Sequence, residues 1–257
     1  MKLIDSHCHL VDEKILEQVD GVIERAKKEG VKKFITMAGG RNEWSKLVEL
    51  SQKYPEVSVC FGWHPEDITK DEDLADLKEL ILKTKKCVGI GEVGLDFYYD
   101  KEKKTKELQM KMLKKQISLA IELNIPLVIH VRNAETEMTD IMNEFGDSFR
   151  AQFHCFGESP LFLKKVIADN HMVSFGGNIT FKSAGNLRDM IKEVPIERLL
   201  LETDTPYLSP EPVRGTINEP ANLRYTAQFI AKELKIEVEA LAGATYKNTL
   251  CFFGLEK

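Results

Sequence analysis

His7 and His9, separated by Cys8, form the sharpest local signal in this chain. Side chains alternate between the two faces of a β-strand, so residues two apart point the same way. Both imidazoles would therefore share one face while Cys8 packs away from it. Paired imidazoles are a preferred ligand set for Zn²⁺ and other borderline divalent cations. An isolated His-x-His is a weak motif, and its weight here comes from partners that end other apolar runs. Glu92 stands in Gly89-Ile90-Gly91-Glu92-Val93-Gly94-Leu95-Asp96. A carboxylate buried alone there would be costly, whereas two cations can share its two oxygens. His130 follows Leu127-Val128-Ile129, and His154 lies in Phe153-His154-Cys155-Phe156. Either one alone would read as a satisfied core histidine. Beside Glu92 and the histidine pair, they read as ligands of a second metal. Asp204, in Leu201-Glu202-Thr203-Asp204-Thr205-Pro206, adds an acid that binds the first metal, orients an attacking water, or does both.

Such a set supports hydrolysis near neutral pH. A bound divalent cation acidifies its water to a pKa of about 7, and two cations about 3.5–4 Å apart stabilise both the attacking and the leaving oxygen. Asp204 is the candidate for taking the water's proton. So many imidazoles favour Zn²⁺, Mn²⁺ or Co²⁺ over Mg²⁺, which prefers oxygen ligands and water.

The elements must bring these residues together. Short β-branched runs are expected as strands over Lys2–Ser6, Lys33–Met37, Val57–Gly62, Cys87–Glu92, Pro126–His130, Ala151–His154, Met172–Gly176 and Arg198–Glu202. Between them helices are expected over Ile15–Lys28, Glu43–Lys53, Asp73–Thr84, Glu102–Leu123, Glu135–Phe145, Ser159–Asn170, Ala184–Glu193 and Pro220–Leu234. Glu237–Phe253 is expected as a last helix closing over the outside. In Glu102–Leu123 the residues Met110, Leu113, Ile117, Ala120 and Ile121 define one buried stripe. Ser159-Pro160 is an N-cap followed by proline at the first helical position. Nearly all-apolar strands alternating with helices specify a parallel sheet covered by helices. Eight such units specify an α/β fold, a single (β/α)₈ TIM barrel over residues 1–257, with function at the C-terminal strand ends. His7, His9, His64, Glu92, His130, His154 and Asp204 all fall at or just beyond such ends. His171 begins the seventh strand at the opposite rim and is expected on the surface, with no catalytic part.

Composition agrees with this class and excludes others. Hydrophobic residues make up 43% and charged residues 30% of the 257 positions, as in ordinary globular proteins. Without a run of 18 apolar residues, no membrane span is expected. The start, Met1-Lys2-Leu3-Ile4-Asp5, gives no expectation of a signal peptide. Five widely spaced cysteines, Cys8, Cys60, Cys87, Cys155 and Cys251, are expected as reduced thiols packed as small hydrophobes in a cytoplasmic protein. A net charge of −5 does not provide a basic coat for nucleic acid, although bound cations would supply local positive charge.

These motifs, in this order, resemble the TatD family of metal-dependent deoxyribonucleases, an amidohydrolase-like barrel family. The resemblance runs nearly end to end. It is carried by Asp5-Ser6-His7-Cys8-His9-Leu10, Gly62-Trp63-His64-Pro65, Gly91-Glu92-Val93-Gly94-Leu95-Asp96, Ile129-His130-Val131-Arg132, His154-Cys155-Phe156, Glu202-Thr203-Asp204-Thr205-Pro206-Tyr207-Leu208 and Asn218-Glu219-Pro220-Ala221 after Arg214-Gly215. It implies a first metal on His7, His9, Glu92 and Asp204, and a second on His130, His154 and the bridging Glu92. It also implies that His64 is a further active-site histidine facing substrate, which makes Asp204, Glu92 and His64 the catalytic residues. DNA is the implied substrate, attacked from a 3′ end, and no obligate protein partner is expected. The chain departs from the family's pattern at Asn133, at Gly157-Glu158 and at Thr216-Ile217, where many members carry Lys-Arg.

Arg132 and Arg214 are expected on rim loops, where they would grip a phosphate bidentately or form rim salt bridges. The mixed-sign run Lys101–Lys106 is expected as a solvated face rather than a DNA patch. Trp63 and Tyr207 are expected to complete the core rather than stack on a base. A different hydrolase, acting on a small ester, lactone, amide or aminoacyl bond with the same metals, is the alternative. A binding protein with purely structural metals fits less well, because structural sites are coordinatively closed.

Overall fold

The computed structural model describes residues 1–38, 40–98, 100 and 104–256. Eight parallel strands form one sheet in sequential order: β1 (Leu3–Cys8), β2 (Val31–Met37), β3 (Val57–Phe61), β4 (Cys87–Asp96), β5 (Leu127–Arg132), β6 (Ala151–Phe153), β7 (Met172–Phe175) and β8 (Leu199–Leu201). Their largely apolar sequences are buried over most of their length, as strands covered on both faces must be, while β5 is half-buried from His130 to Arg132. The ring comes together at its C-terminal end, where Asp204 N donates to His7 O (3.0 Å) and His9 N to Thr205 O (2.8 Å). This is the expected TIM barrel.

The helices are α1 (Glu13–Leu16), α2 (Val19–Lys28), α3 (Trp44–Lys53), α4 (Ala75–Lys83), α5 (Lys106–Leu123), α6 (Glu135–Phe145), α7 (Pro160–Ala168), α8 (Gly185–Met190), α9 (Leu223–Leu234) and α10 (Val238–Phe253). Ser159 caps α7 by accepting from Phe162 N, with Pro160 in the first turn. The single helix expected over Ile15–Lys28 is instead two: α1 starts earlier, where Asp12 caps it by accepting from Lys14 N, and ends at Leu16, and α2 begins at Val19.

Two apolar assemblies share the core. Outward-facing strand residues such as Leu3, Phe34, Val59, Ile90 and Ile129 pack against the helices. A smaller inner cluster comprises Ile4, Ile35, Met37, Cys60, Val128, Met172 and Leu200, and it takes in Phe252 and Phe253 from the end of α10. The last helix therefore delivers two phenylalanines to the inner cluster, instead of only covering the outside.

Four further expectations need correction. The buried face of α5 is set by Gln109, Met112, Leu113, Gln116, Ile117, Leu119 and Ala120, while Met110 is partly buried and Ile121 exposed. Two glutamines, Gln109 and Gln116, are thus buried on a face predicted to be wholly apolar. Cys251 is exposed on α10, outside any strand. His171 is buried, with its ring centroid 4.7 Å from that of Phe149 and 5.5 Å from that of Phe153. Burial outweighs Asp169 nearby and lowers its pKa to about 4, so it is neutral in the fold. Tyr207 is 44% exposed, whereas Trp63 is buried against Trp44 as expected. Of the run Lys101–Lys106, residues 101–103 lie outside the described residues, and Lys106 pairs with Glu137 at 2.7 Å.

Candidate metal centre

Strand parity is adjusted locally to aim the polar residues inward. From Asp5 to Cys8, β1 takes three steps while β2 takes two, Phe34 to Thr36. From Ile90 to Val93, β4 again takes three while β5 takes two, Leu127 to Ile129. Each extra residue shifts the alternation by one, a known use of bulges beside active sites. Ile4 can then belong to the inner cluster while Cys8 faces the outer shell, and His7 with His9 face the barrel mouth. Beyond β8 the chain turns sharply, and Asp204 adopts φ +56°, a strained value for a non-glycine residue.

The six predicted ligand residues converge. His7 Nε2 lies 3.1 Å from His9 Nε2, 3.3 Å from Glu92 Oε2 and 3.5 Å from Asp204 Oδ1. His9 Nε2 lies 3.4 Å from Glu92 Oε2 and 3.5 Å from Asp204 Oδ1. Ligand atoms about 2.1 Å from one tetrahedral ion stand about 3.4 Å apart, so these four atoms fit a single cation. Glu92 Oε1 faces a second group: His154 Nε2 at 2.7 Å and His130 Nδ1 at 3.0 Å, these two nitrogens being 3.2 Å apart. His64 Nε2 stands 3.4 Å from the same oxygen.

Hydrogen bonds distinguish the roles of these rings. His130 directs Nε2 to Asp96 Oδ2 at 2.9 Å, which leaves the Nδ1 lone pair free toward Glu92 and suits a ligand. His64 Nδ1 instead accepts from Glu66 N at 3.2 Å, so the neutral ring carries its proton on Nε2, facing the cavity. That arrangement suits a donor better than a ligand.

The electrostatics match a cation-binding site. Burial alone would raise Glu92, but His154, His64 and His7 around it hold it well below the ordinary carboxylate range. Asp204 is likewise lowered, against burial, chiefly by its hydrogen bond with His9. Burial and the neighbouring His154 lower His7, while burial of His130 is outweighed by Asp96 and Glu92, which push it up to about 9. Both acids are therefore ionised, and a cation would displace protons from the raised imidazoles.

The centre lies at the bottom of a cavity of about 580 Å³, lined by His9, His64, Glu92, His130, His154 and Asp204. Arg132 also lines it, but as the last residue of β5 rather than on a loop, with its guanidinium 3.7 Å from the Tyr98 ring centroid. Arg214 does not line the cavity. It lies over the Phe181 ring at 4.1 Å. Tyr207 lines the mouth, and its hydroxyl donates to Asp12 Oδ2 at 2.9 Å.

Sequence reasoning assigned no task to several supporting residues. Asp5 is fully buried between β1 and β8 and accepts from Thr203 N (3.0 Å) and Thr203 Oγ1 (2.5 Å). Burial lifts its pKa to about 8 despite those bonds. Glu202 accepts from Cys155 N (2.6 Å), Ser174 Oγ (2.5 Å) and Gln152 Nε2 (3.2 Å), and stands 3.6 Å from His154 Nδ1. Both acids lie within motifs already singled out, and that proximity was the available signal.

The family model for TatD-related DNases matches residues 4–254. The chain is 37% identical over 254 residues to the metal-dependent hydrolase YabD of Bacillus subtilis, covering 98% of each. It is 35% identical over 260 residues to the metal-dependent hydrolase YcfH of Escherichia coli K12, covering 100% of this chain and 97% of that one. Among solved structures, the TatD homologue YJJV of E. coli K12 superposes with a TM-score of 0.91 at 26% identity, covering 98% of both chains. With the barrel, the ligand cluster and these relatives in agreement, the chain belongs to the TatD family of metal-dependent hydrolases.

Proposed function

We propose that the protein is a two-metal phosphodiesterase acting on DNA from a 3′ end. The observation that carries this reading is the division of Glu92, with Oε2 against His7 and His9, which Asp204 also reaches, and Oε1 against His130 and His154. One carboxylate serving two ligand sets is the arrangement that two adjacent cations require. The family's description as DNases supports the choice of bond.

The bound cations would be Zn²⁺, Mn²⁺, Co²⁺ or Mg²⁺, supplying Lewis acidity and a water acidified to a pKa of about 7. The chain's own residues do the rest. Asp204, kept ionised by His9 and His7, accepts the proton of the attacking water. Glu92 holds the two ligand sets at one spacing. His64 presents Nε2–H to a substrate or leaving-group oxygen. Arg132 donates to the phosphate, its guanidinium held by stacking on Tyr98. Arg214 would act only on substrate extending beyond the cavity.

A second reading, hydrolysis of a carboxylic ester, amide or aminoacyl bond, gains from one observation. Outside the ligand sets the cavity is lined by Asp12, Glu43, Glu66 and Asp67, with Arg132 as the cation among its lining residues. That lining favours a substrate less anionic than a long strand. One experiment separates the readings: metal-loaded protein is incubated with end-labelled single- and double-stranded DNA and with a panel of esters and amides, with Glu92→Ala as control. The DNase reading expects nucleotides released from the 3′ end, with that release lost in Glu92→Ala. Ester or amide turnover lost in the variant, without DNA cleavage, would overturn the substrate while leaving the mechanism in place.

A further inference from the structure

We propose that Gln109 of α5 is a positioning residue for the second ligand set, acting through Asp96 on His130; the inference rests on the two-metal reading above. Gln109 is buried, on a helix face that also buries Met112, Leu113, Gln116, Ile117 and Ala120. Its amide grips the end of β4 by both edges. Asp96 N donates to Gln109 Oε1 at 2.9 Å, and Gln109 Nε2 donates to Asp96 O at 3.0 Å. The same Nε2 lies 3.0 Å from Thr105 Oγ1 at the helix start. The side chain thus acts as one more strand residue, completing the backbone pairing of Asp96.

Asp96, fixed in this way, accepts from Tyr98 N on Oδ1 at 2.8 Å and from His130 Nε2 on Oδ2 at 2.9 Å. That second bond sets the tautomer of His130 and aims Nδ1 at the oxygen of Glu92 3.0 Å away. Carboxylates that orient ligating imidazoles in this manner typically contribute about 10–100-fold to metal affinity. Of the first set, only the shared Glu92 stands on β4, the strand that Gln109 grips. His7 lies on β1 with His9 just beyond its end, and Asp204 follows β8, where Asp5 and Thr203 tie the two segments. The effect of Gln109 is therefore one-sided.

The molecule carries its own control. Gln116 lies seven residues later, equally buried, and grips Trp63 in the same fashion: Trp63 N donates to Gln116 Oε1 at 2.7 Å and Gln116 Nε2 to Trp63 O at 3.3 Å. Its bonds lead to His64, whose Nδ1 is already committed to Glu66 N, and not to a ligating ring. Removing either glutamine deletes the same kind of bond from the same helix face, but only one lies behind a ligand.

The test is a titration of the metal-free protein with Co²⁺, followed by visible absorption and calorimetry, for wild type, Gln109→Leu and Gln116→Leu. Wild type is expected to take up two equivalents. In Gln109→Leu the first should bind unchanged and the second about 10–100-fold more weakly, while Gln116→Leu should bind both as wild type does. Two unchanged equivalents in Gln109→Leu, or an equal weakening of the second in Gln116→Leu, would overturn the inference alone. A single equivalent in wild type would overturn the two-metal reading and this inference with it. If Gln109→Leu fails to fold, the unbranched Gln109→Met replaces it. If that variant also fails, the side-chain amide resonances of wild type titrated with diamagnetic Zn²⁺ decide: Gln109 must shift with the second equivalent only, and a shift with the first, or none, refutes the proposal.

Discussion

At the level of single residues, Asp204 and Arg132 carry separable parts of the reaction. Asp204 reaches both His7 and His9 at 3.5 Å and is, with Glu92, one of the two acids of the first ligand set. Asp204→Asn keeps the shape but removes the base. The expected result is a fall of about 10²–10⁴ in kcat, measured at saturating metal so that weakened binding does not contribute. An unchanged kcat would show that another group takes the proton. Arg132 reaches the cavity from β5 with its guanidinium carbon over the Tyr98 ring. Arg132→Ala should act mainly on KM, by about 10–100-fold, as expected for losing a hydrogen bond to a charged group. Arg132→Lys should recover little, because a point charge neither forks onto two oxygens nor stacks equally well. His171 makes a prediction of a different kind. It is buried and neutral, with its pKa lowered to about 4 against an unfolded value near 6.5. Between those values the unfolded chain binds the extra proton, so the contribution to stability is whole above about pH 6.5 and is lost as pH falls toward 4. Urea unfolding between pH 4 and 7 should therefore show a shallower pH slope for His171→Phe than for wild type. Parallel slopes would contradict the assigned burial cost.

At the level of elements, the site depends on irregularities in otherwise regular strands. Gly94 follows the extra residue in β4, with φ +152°. A Cβ at Gly94 would lie 1.9 Å from His130 O, so any side chain would force β5 away just where His130 is held. Gly94→Ala should cost about 3 kcal/mol or more in stability and weaken metal uptake along with it. Denaturation with and without Co²⁺ measures both effects, and a stable variant with normal uptake would refute the close approach. The regular part of this architecture was legible beforehand. Runs such as Leu127-Val128-Ile129 and the Ser159-Pro160 cap state their structure through local chemistry alone. The extra residues near His7 and Glu92 were not legible, because a bulge is specified by what lies opposite on the neighbouring strand and not by its own sequence. The parity rule still placed His7 and His9 on one face, and their Nε2 atoms lie 3.1 Å apart. Gln109 and Gln116 were hidden for a similar reason: a polar residue on a helix reads as solvent-facing unless a backbone edge waits for it. His171 misled because a histidine just before a strand gives no sign that Phe149 and Phe153 will enclose it.

At the level of the whole molecule, the ligand cluster is where the barrel's closure and its chemistry meet. His7 comes from β1 and His9 from just past it, Glu92 from β4, His130 from β5, His154 from just past β6 and Asp204 from beyond β8. These segments are brought side by side only when the ring closes, so the unfolded chain offers no comparable site. Cation binding is then linked directly to folding. Inside the cluster, ionised Glu92 and Asp204 and the raised imidazoles of His9, His130 and His154 must balance one another at separations near 3 Å. Divalent cations replace the protons and neutralise the acids more completely. At a free cation concentration of 100 times Kd, one site adds about 2.7 kcal/mol. For a chain of this size that raises Tm by about 5–10 °C. Exhaustive chelation should therefore lower Tm, and stepwise addition of Zn²⁺, Mn²⁺, Co²⁺ or Mg²⁺ should restore it in the order of affinity, by calorimetry without any substrate. Imidazole nitrogens make up most of the ligand atoms, so Mg²⁺ should restore least. Asp204→Asn and His130→Ala should each blunt the rise without removing it, because each leaves one ligand set complete. A Tm indifferent to all four cations would mean that the six residues meet for packing alone.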